Sequence, residues 1–189
     1  NIMETHMENN KMLYSHVSVD CVLLGVNEDK LCVLLIERQM DNSDEKRYKL
    51  PGSLIFENED LDTAAHRVFN EATGLKRVPL KQFRSFGSPS RTKNKDDMQW
   101  LENAMKLKIE RIVTVAYLAL SKIGRKSNPT NKYNSLAWFP VDALPSLPFD
   151  HKEIIEAAVE EIREWVEKEP SIIFDYLPLK FTAYQLRRT

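Results

Sequence analysis

Residues 50–75 constrain this chain more than any other stretch. They read LPGSLIFENEDLDTAAHRVFNEATGL. A Pro51-Gly52 turn signal sits in a short extended segment, Lys49 to Phe56, and a helix follows from about Asp60 to Thr73. Asn58 or Asp60 can cap its start, and Gly74 suits the position just past its end. Leu61, Ala64, Ala65, Val68 and Ala72 recur at helical spacing and form one apolar stripe. Such a helix has to pack against something, and the strands around it supply the surface.

HVSVDCVLLGV and LCVLLIER, within residues 16–38, are rich in β-branched and aliphatic residues. NEDK between them predicts a hairpin turn. IVTVAYLAL, 112–120, is apolar on both faces, which predicts a central strand. Residues 78–87 and SLAWFPV predict two more strands. Asp150 to Lys168 predicts an amphipathic helix with Ile154, Ile155, Ala158, Ile162, Trp165 and Val166 on its buried face. Asp150 and Glu153 give it a capping-box-like start, and Pro170 stops it. The long charged segment 88–109 contains DDMQWLENAMKL, which has helical periodicity through Met98, Leu101 and Met105. QMDNSDEKRY and KIGRKSNPTNKYN read as polar loops. The class is α/β.

The chain's 189 residues are enough for one domain with a sizeable core, and hydrophobic residues make up 42%. A net charge of −1 argues against a broad nucleic-acid footprint. No apolar run approaches the roughly 18–20 residues of a membrane span, and the N-terminus lacks the apolar core of a signal peptide. Cys21 and Cys32 are too few for a disulfide scaffold or a zinc site. Both lie in apolar strand patterns and read as buried thiols, consistent with a cytoplasmic protein.

Residues 50–75 resemble a Nudix box, G-x5-E-x7-R-E-U-x-E-E-x-G-U, with U a bulky aliphatic. Aligned on Glu59, the chain keeps Glu59, Arg67, Glu71, Gly74 and Leu75. Ser53 stands at the first glycine, with Gly52 just before it. Val68 and Ala72 stand where the family carries glutamates, both on the apolar stripe. AWFPVDALPSLPFDH is similar to a run found in Nudix-related transcriptional regulators, on Trp138, Leu144, Pro145, Leu147, Phe149, Asp150 and His151. LPLKFTAYQL is similar to the opening of their winged-helix domain. The R-V-x-x-E-x-T-G-L form of the box resembles the arabinose-responsive subgroup. Ser90-Arg91-Thr92 replaces the family's Asp-Arg-Asp-Pro-like loop, so only Arg91 matches there.

The resemblance implies a Nudix fold, a mixed β-sheet sandwiched between α-helices, over residues 15–170, after a disordered or tag-derived 1–14. Residues 171–189 would be a linker and the start of a truncated winged helix. It implies a catalytically inactive, effector-sensing domain of a homodimeric regulator, binding a sugar or a nucleotide-sugar such as ADP-ribose. DNA would be reached only through the missing winged helix, Arg187 and Arg188 being weak evidence for contact, and no membrane is involved. In the family, diphosphate hydrolysis uses metal held by box glutamates and a loop carbonyl. Here only the Gly52 carbonyl and Glu71 would remain, so no metal or other cofactor is expected. Glu59 and Arg67 would form the family's buried loop-to-helix pair. Removing one partner of such a pair costs about 3–5 kcal/mol, enough to preserve both without catalysis.

Arg38, Gly52, Arg67, Glu71 and Arg91 are the effector-binding candidates. Arg38 reads equally as a strand-end surface arginine or as a group facing an anionic ligand. The alternative function is a magnesium-dependent Nudix hydrolase cleaving a nucleoside diphosphate derivative. It would use Glu59, Glu71 and an acid from the long segment, among Asp96, Asp97, Glu102 and Glu110. Those four otherwise read as a solvated face. His151 reads as structural, His66 as exposed, and Trp100 as a local packing anchor.

Overall fold

A computed structural model describes residues 12–39, 45–122, 129–132 and 134–171. The expected winged-helix start after Ser171 lies outside the described residues, as do Arg187, Arg188 and residues 1–11.

The described chain forms seven strands and three α-helices. The hairpin is β1, Leu13–Asn27, and β2, Lys30–Arg38. Glu28 and Asp29 turn it with both residues at positive φ, 49° and 65°, the geometry a two-residue hairpin favours. Next come β3, Arg47–Lys49, β4, Gly52–Phe56, and the box helix α1, Leu61–Thr73. β5, Lys81–Phe86, leads to a 3₁₀ turn, Pro89–Thr92, and then α2, Lys95–Met105. The chain continues with β6, Val113–Leu120, β7, Leu136–Pro140, and α3, His151–Lys168.

β1 organises the sheet because it is long enough to change partners. Its first half pairs antiparallel with β4, from Leu13↔Phe56 to Asp20↔Gly52, and its end pairs with β2. β6 runs parallel along its other side, Val17↔Val113 to Leu24↔Leu120, and carries β5 beyond it. β3 and β7 pair with β2. Where β4 and β2 divide, residues 49–52 cross between strands, held by a bond from Cys21 N to Pro51 O of 2.8 Å.

Strand alternation sorts the core into two layers. Val22, Leu24, Val33, Leu35, Ala116 and Leu118 face α3 through Ile154, Ile155, Ala158 and Ile162. Val19, Cys21, Leu23, Val115, Tyr117 and Ala119 face α1 through Ala64, Ala65, Val68 and Phe69. β6 is buried on both faces, as its composition predicts. A third cluster lies against α2, with Leu54, Ile109 and Ile112 under Met98, Leu101 and Met105.

Asp60 caps α1 by accepting from Thr63 N at 2.8 Å, and Gly74 ends it at φ 69°. Both cysteines are buried free thiols. Three expectations need correction. β1 begins at Leu13, so Leu13 and Tyr14 belong to the folded unit and not to a disordered leader. The strand expected from residue 78 begins at Lys81, although Val78 and Leu80 still pack on the core. Asp150 makes no side-chain cap on α3, because its carboxylate accepts from Arg91.

Candidate functional site

The box builds a rigid corner. Glu59 accepts Phe56 N at 2.8 Å and takes Arg67 in a fork, with Nη2 at 2.6 Å on Oε1 and Nε at 3.0 Å on Oε2. Arg67 also donates to Leu54 O at 3.3 Å, and its guanidinium lies 4.1 Å from the Phe56 ring centre. The pair thus ties β4, the following turn and α1 together. Glu71 is 67% exposed and meets Arg67 at 3.5 Å.

Two positions of the box where the resemblance expects carboxylates carry no oxygen donor. Val68 and Ala72 are buried, 4% and 9% exposed. The Gly52 carbonyl accepts from Lys49 Nζ at 3.2 Å, and Lys49 also donates to Leu50 O at 3.2 Å. Burial pushes the Lys49 pKa down, and Asp20 opposes the shift. The Lys49 amine therefore occupies the oxygen that would otherwise be open to a cation. Among the described residues, no group of three or more His, Cys, Asp or Glu is placed to hold a metal ion. Hard cations bind through clustered oxygens, and one exposed carboxylate is a poor substitute. Gly52 itself is required for space. A Cβ there would meet Asp20 Oδ1 at 2.1 Å and Val19 O at 2.9 Å.

Beside this loop lies a buried polar cluster. Asp20 Oδ2 accepts from Thr114 Oγ1 at 2.6 Å. His151 Nδ1 accepts Leu50 N at 3.1 Å, so the ring proton of the neutral form sits on Nε2, 3.5 Å from Asp20 Oδ1. Burial, more than any neighbour, lowers the His151 pKa to about 4. Arg91 donates from Nε to both Asp150 oxygens, at 3.2 and 3.1 Å, and from Nη1 to Ile112 O at 2.8 Å. Its Nη2 lies 4.0 Å from Asp20. Arg91, a candidate for contacting an effector, is thus enclosed and joined to the start of α3. His151 has the structural role its position predicts.

Arg38 occupies a different setting. It is buried, and Nη1 donates to Asp97 Oδ1 at 3.2 Å. Trp100 covers it, with the guanidinium 4.9 Å from the ring centre, and Trp100 Nε1 donates to Gln39 O at 2.9 Å. Asp97 Oδ2 accepts Phe149 N at 3.0 Å. Asp97 is therefore a bridge between β2 and the residue preceding Asp150, not part of a solvated face. Glu102 likewise accepts Ile109 N at 3.2 Å. Trp100 anchors its segment as expected. An open polar groove of about 660 Å³ lies here, with Arg38, Arg47, Lys49, Gln99, Trp100 and Asn103 among its walls. A second concavity of about 310 Å³ is largely apolar, lined by Leu80, Leu118, Leu120 and Trp165 among others.

Of the five candidates, Gly52, Arg67 and Glu71 stay at the box corner, Arg91 joins the buried cluster, and Arg38 lines the groove. Sequence reading missed Asp20, Lys49 and Thr114. Asp20 had a signal, as the one charge within the apolar run VSVDCVLLGV. Lys49 had none.

The NUDIX domain profile matches residues 14–160. The chain is 26% identical over 176 residues to the ADPR responsive transcriptional repressor NtrR of Acinetobacter baylyi, covering 90% of this chain. It spans only 63% of that relative's length. A MutT/nudix family protein from Enterococcus faecalis superposes with a TM-score of 0.62 at 24% identity, over 91% of this chain and 72% of that one. Shewanella oneidensis NrtR gives 0.59 at 25% identity, over 79% and 64%. The NUDIX domain of that protein, in a structure complexed with ADP ribose, gives 0.57 at 22% identity, over 84% and 97%. Among the described residues, no helix is long and apolar enough to cross a membrane. With the profile spanning the sheet and reaching into α3, the chain belongs to the NUDIX domain family.

Proposed function

We propose that this chain is a non-hydrolysing effector-sensing domain of a transcriptional regulator. It binds a sugar or nucleotide-sugar in the polar groove beside Arg38 and Trp100 and acts within a homodimer. The observation that carries this reading is the remodelled metal face: Val68 and Ala72 are packing residues, and Lys49 occupies the Gly52 carbonyl. The likeness to an ADPR responsive repressor supports it. A ligand shifts a regulator only through different affinity for two states, so binding without turnover is sufficient chemistry. DNA contact belongs to a partner segment of the whole regulator and not to this domain.

The second reading is magnesium-dependent hydrolysis, which rests on one feature, the exposed carboxylate of Glu71. One experiment separates the two. ADP-ribose, NADH and diadenosine polyphosphates are incubated with magnesium or manganese, alongside Glu71→Gln, and calorimetry measures binding of ADP-ribose and of arabinose. Binding of either ligand, with turnover no higher than in Glu71→Gln, is the expected result. Metal-dependent turnover abolished in Glu71→Gln would replace the sensor with an enzyme.

A further inference from the structure

The apolar concavity at the end of α3 has no part in the effector reading. It lies where the start of β5 and the end of β6 meet the last turns of α3, and it shares no lining residue with the groove beside Arg38. Pro79, Leu80, Leu118, Leu120 and Trp165 wall a space of about 310 Å³. Lys81 lies over Trp165, its ammonium 4.6 Å from the ring centre. The charged residues of the lining are Lys81, Lys168 and Glu169, and the negative end of the α3 dipole lies beside them. These charges nearly balance, so a strongly ionic ligand gains little here. An apolar side chain gains most, because it takes apolar wall out of water.

The chain itself brings such side chains to this place. Glu169 is in the lining, and Pro170 directly after it cannot continue the helix. Residues 172–177 are Ile172, Ile173, Phe174, Asp175, Tyr176 and Leu177, all apolar or aromatic except Asp175. Phe174 stands five residues beyond Glu169, a reach of up to roughly 17 Å. Over so short a tether the effective concentration is on the order of millimolar, which favours this segment over a free peptide of like sequence. We propose that the concavity is the seat of the chain's own segment 172–177, filled by its apolar side chains with Phe174 foremost. Seated there, the segment is fixed to β5, β6 and α3 and covers Trp165. A displacement at the end of α3 is then passed to the residues beyond 177 through a held point. The inference stands apart from the effector reading.

The full chain carries the test. Leu80→Cys is combined with Ile173→Cys or with Phe174→Cys, against each single variant; the native Cys21 and Cys32 are buried. A disulfide needs Cα atoms within about 7 Å, so the bond reports seating directly. After mild oxidation, mass spectrometry should find position 80 joined to 173 or 174 within one chain, at a yield independent of protein concentration. A second readout needs no new cysteine and serves if those variants fail to fold. Phe174→Asp should uncover Trp165, shifting tryptophan emission to the red and strengthening its quenching by acrylamide. Neither change should occur in a Trp165→Phe background. The proposal is overturned if neither pairing forms an intramolecular bond or if Phe174→Asp leaves Trp165 as it is in wild type. Bonds formed only between chains, at a yield rising with concentration, would make a second copy the occupant and overturn it equally.

Discussion

Glu59→Ala tests whether the surviving box residues are structural. In wild type, the carboxylate holds Phe56 N and takes Arg67 through Nε and Nη2, with its side chain 8% exposed. Truncation removes these bonds together. A hydrogen bond involving a charged group contributes about 1.5–3 kcal/mol, and a neutral one about 1 kcal/mol. Arg67 is 19% exposed and keeps Leu54 O and the Phe56 ring, so the lower part of the range for a broken buried pair applies. The expected loss is about 3 kcal/mol. For a chain of this size that lowers Tm by roughly 6–12 °C. Glu71→Ala is the internal comparison. Its carboxylate is 67% exposed and 3.5 Å from Arg67 one helical turn away, so it should cost only about 0.3–0.5 kcal/mol. Urea unfolding of both variants, with unchanged m-values, measures the contrast. A loss below about 1 kcal/mol for Glu59→Ala, or equal losses for both, would refute the structural account of the pair.

Three further outcomes follow from the same geometry. Gly52→Ala should lose about 1–3 kcal/mol, because Asp20 is pinned by Thr114 and cannot withdraw freely from the new methyl group; urea unfolding with a midpoint unchanged from wild type would contradict this. His151 is held neutral, its pKa lowered by burial from 6.5 to about 4. The unfolded chain therefore binds a proton that the folded one refuses, and stability falls as pH drops from about 6.5 toward 4. The total loss is about 3 kcal/mol, and a pH series of unfolding curves should lose this slope in His151→Gln. Val68→Glu, which restores one box glutamate, should destabilise the fold and yield no magnesium-dependent turnover, since the position is buried against the sheet; a stable variant that hydrolyses ADP-ribose would show that the helix face can still reach a metal.

The fold was legible wherever a signal is local. The stripe on α1 predicted Ala64, Ala65, Val68 and Ala72 as buried, and the two-faced apolar run of β6 predicted its central place. The arrangement of strands was not legible. β1 pairs with β4 over one half and with β2 at its end, and nothing in its alternation marks the change. The parallel pairing of β1 with β6 joins residues about a hundred positions apart, beyond the reach of any periodicity argument.

The site divides along the same line. Glu59 and Arg67 lie eight residues apart, so their pairing follows from helix geometry once α1 is placed. Arg38 and Asp97 lie 59 apart, Asp20 and Thr114 lie 94 apart, and Leu50 and His151 lie 101 apart. Asp20 meets Thr114 across the parallel β1–β6 pairing, Arg38 at the end of β2 meets Asp97 on α2, and Leu50 meets His151 where residues 49–52 cross between β2 and β4. The Asp150 correction has the same origin. A helix N-cap satisfies one neutral N–H, whereas a carboxylate meeting a buried guanidinium through two contacts near 3.1 Å also offsets a desolvated charge. The long-range partner therefore prevails over the local motif. The same reasoning applies to the two box positions that carry Val68 and Ala72. Val68 and Ala72 give α1 a continuous apolar face, and Lys49 donates to the Gly52 carbonyl. Both positions are buried, so a carboxylate placed at either would have to be desolvated before it could meet a cation.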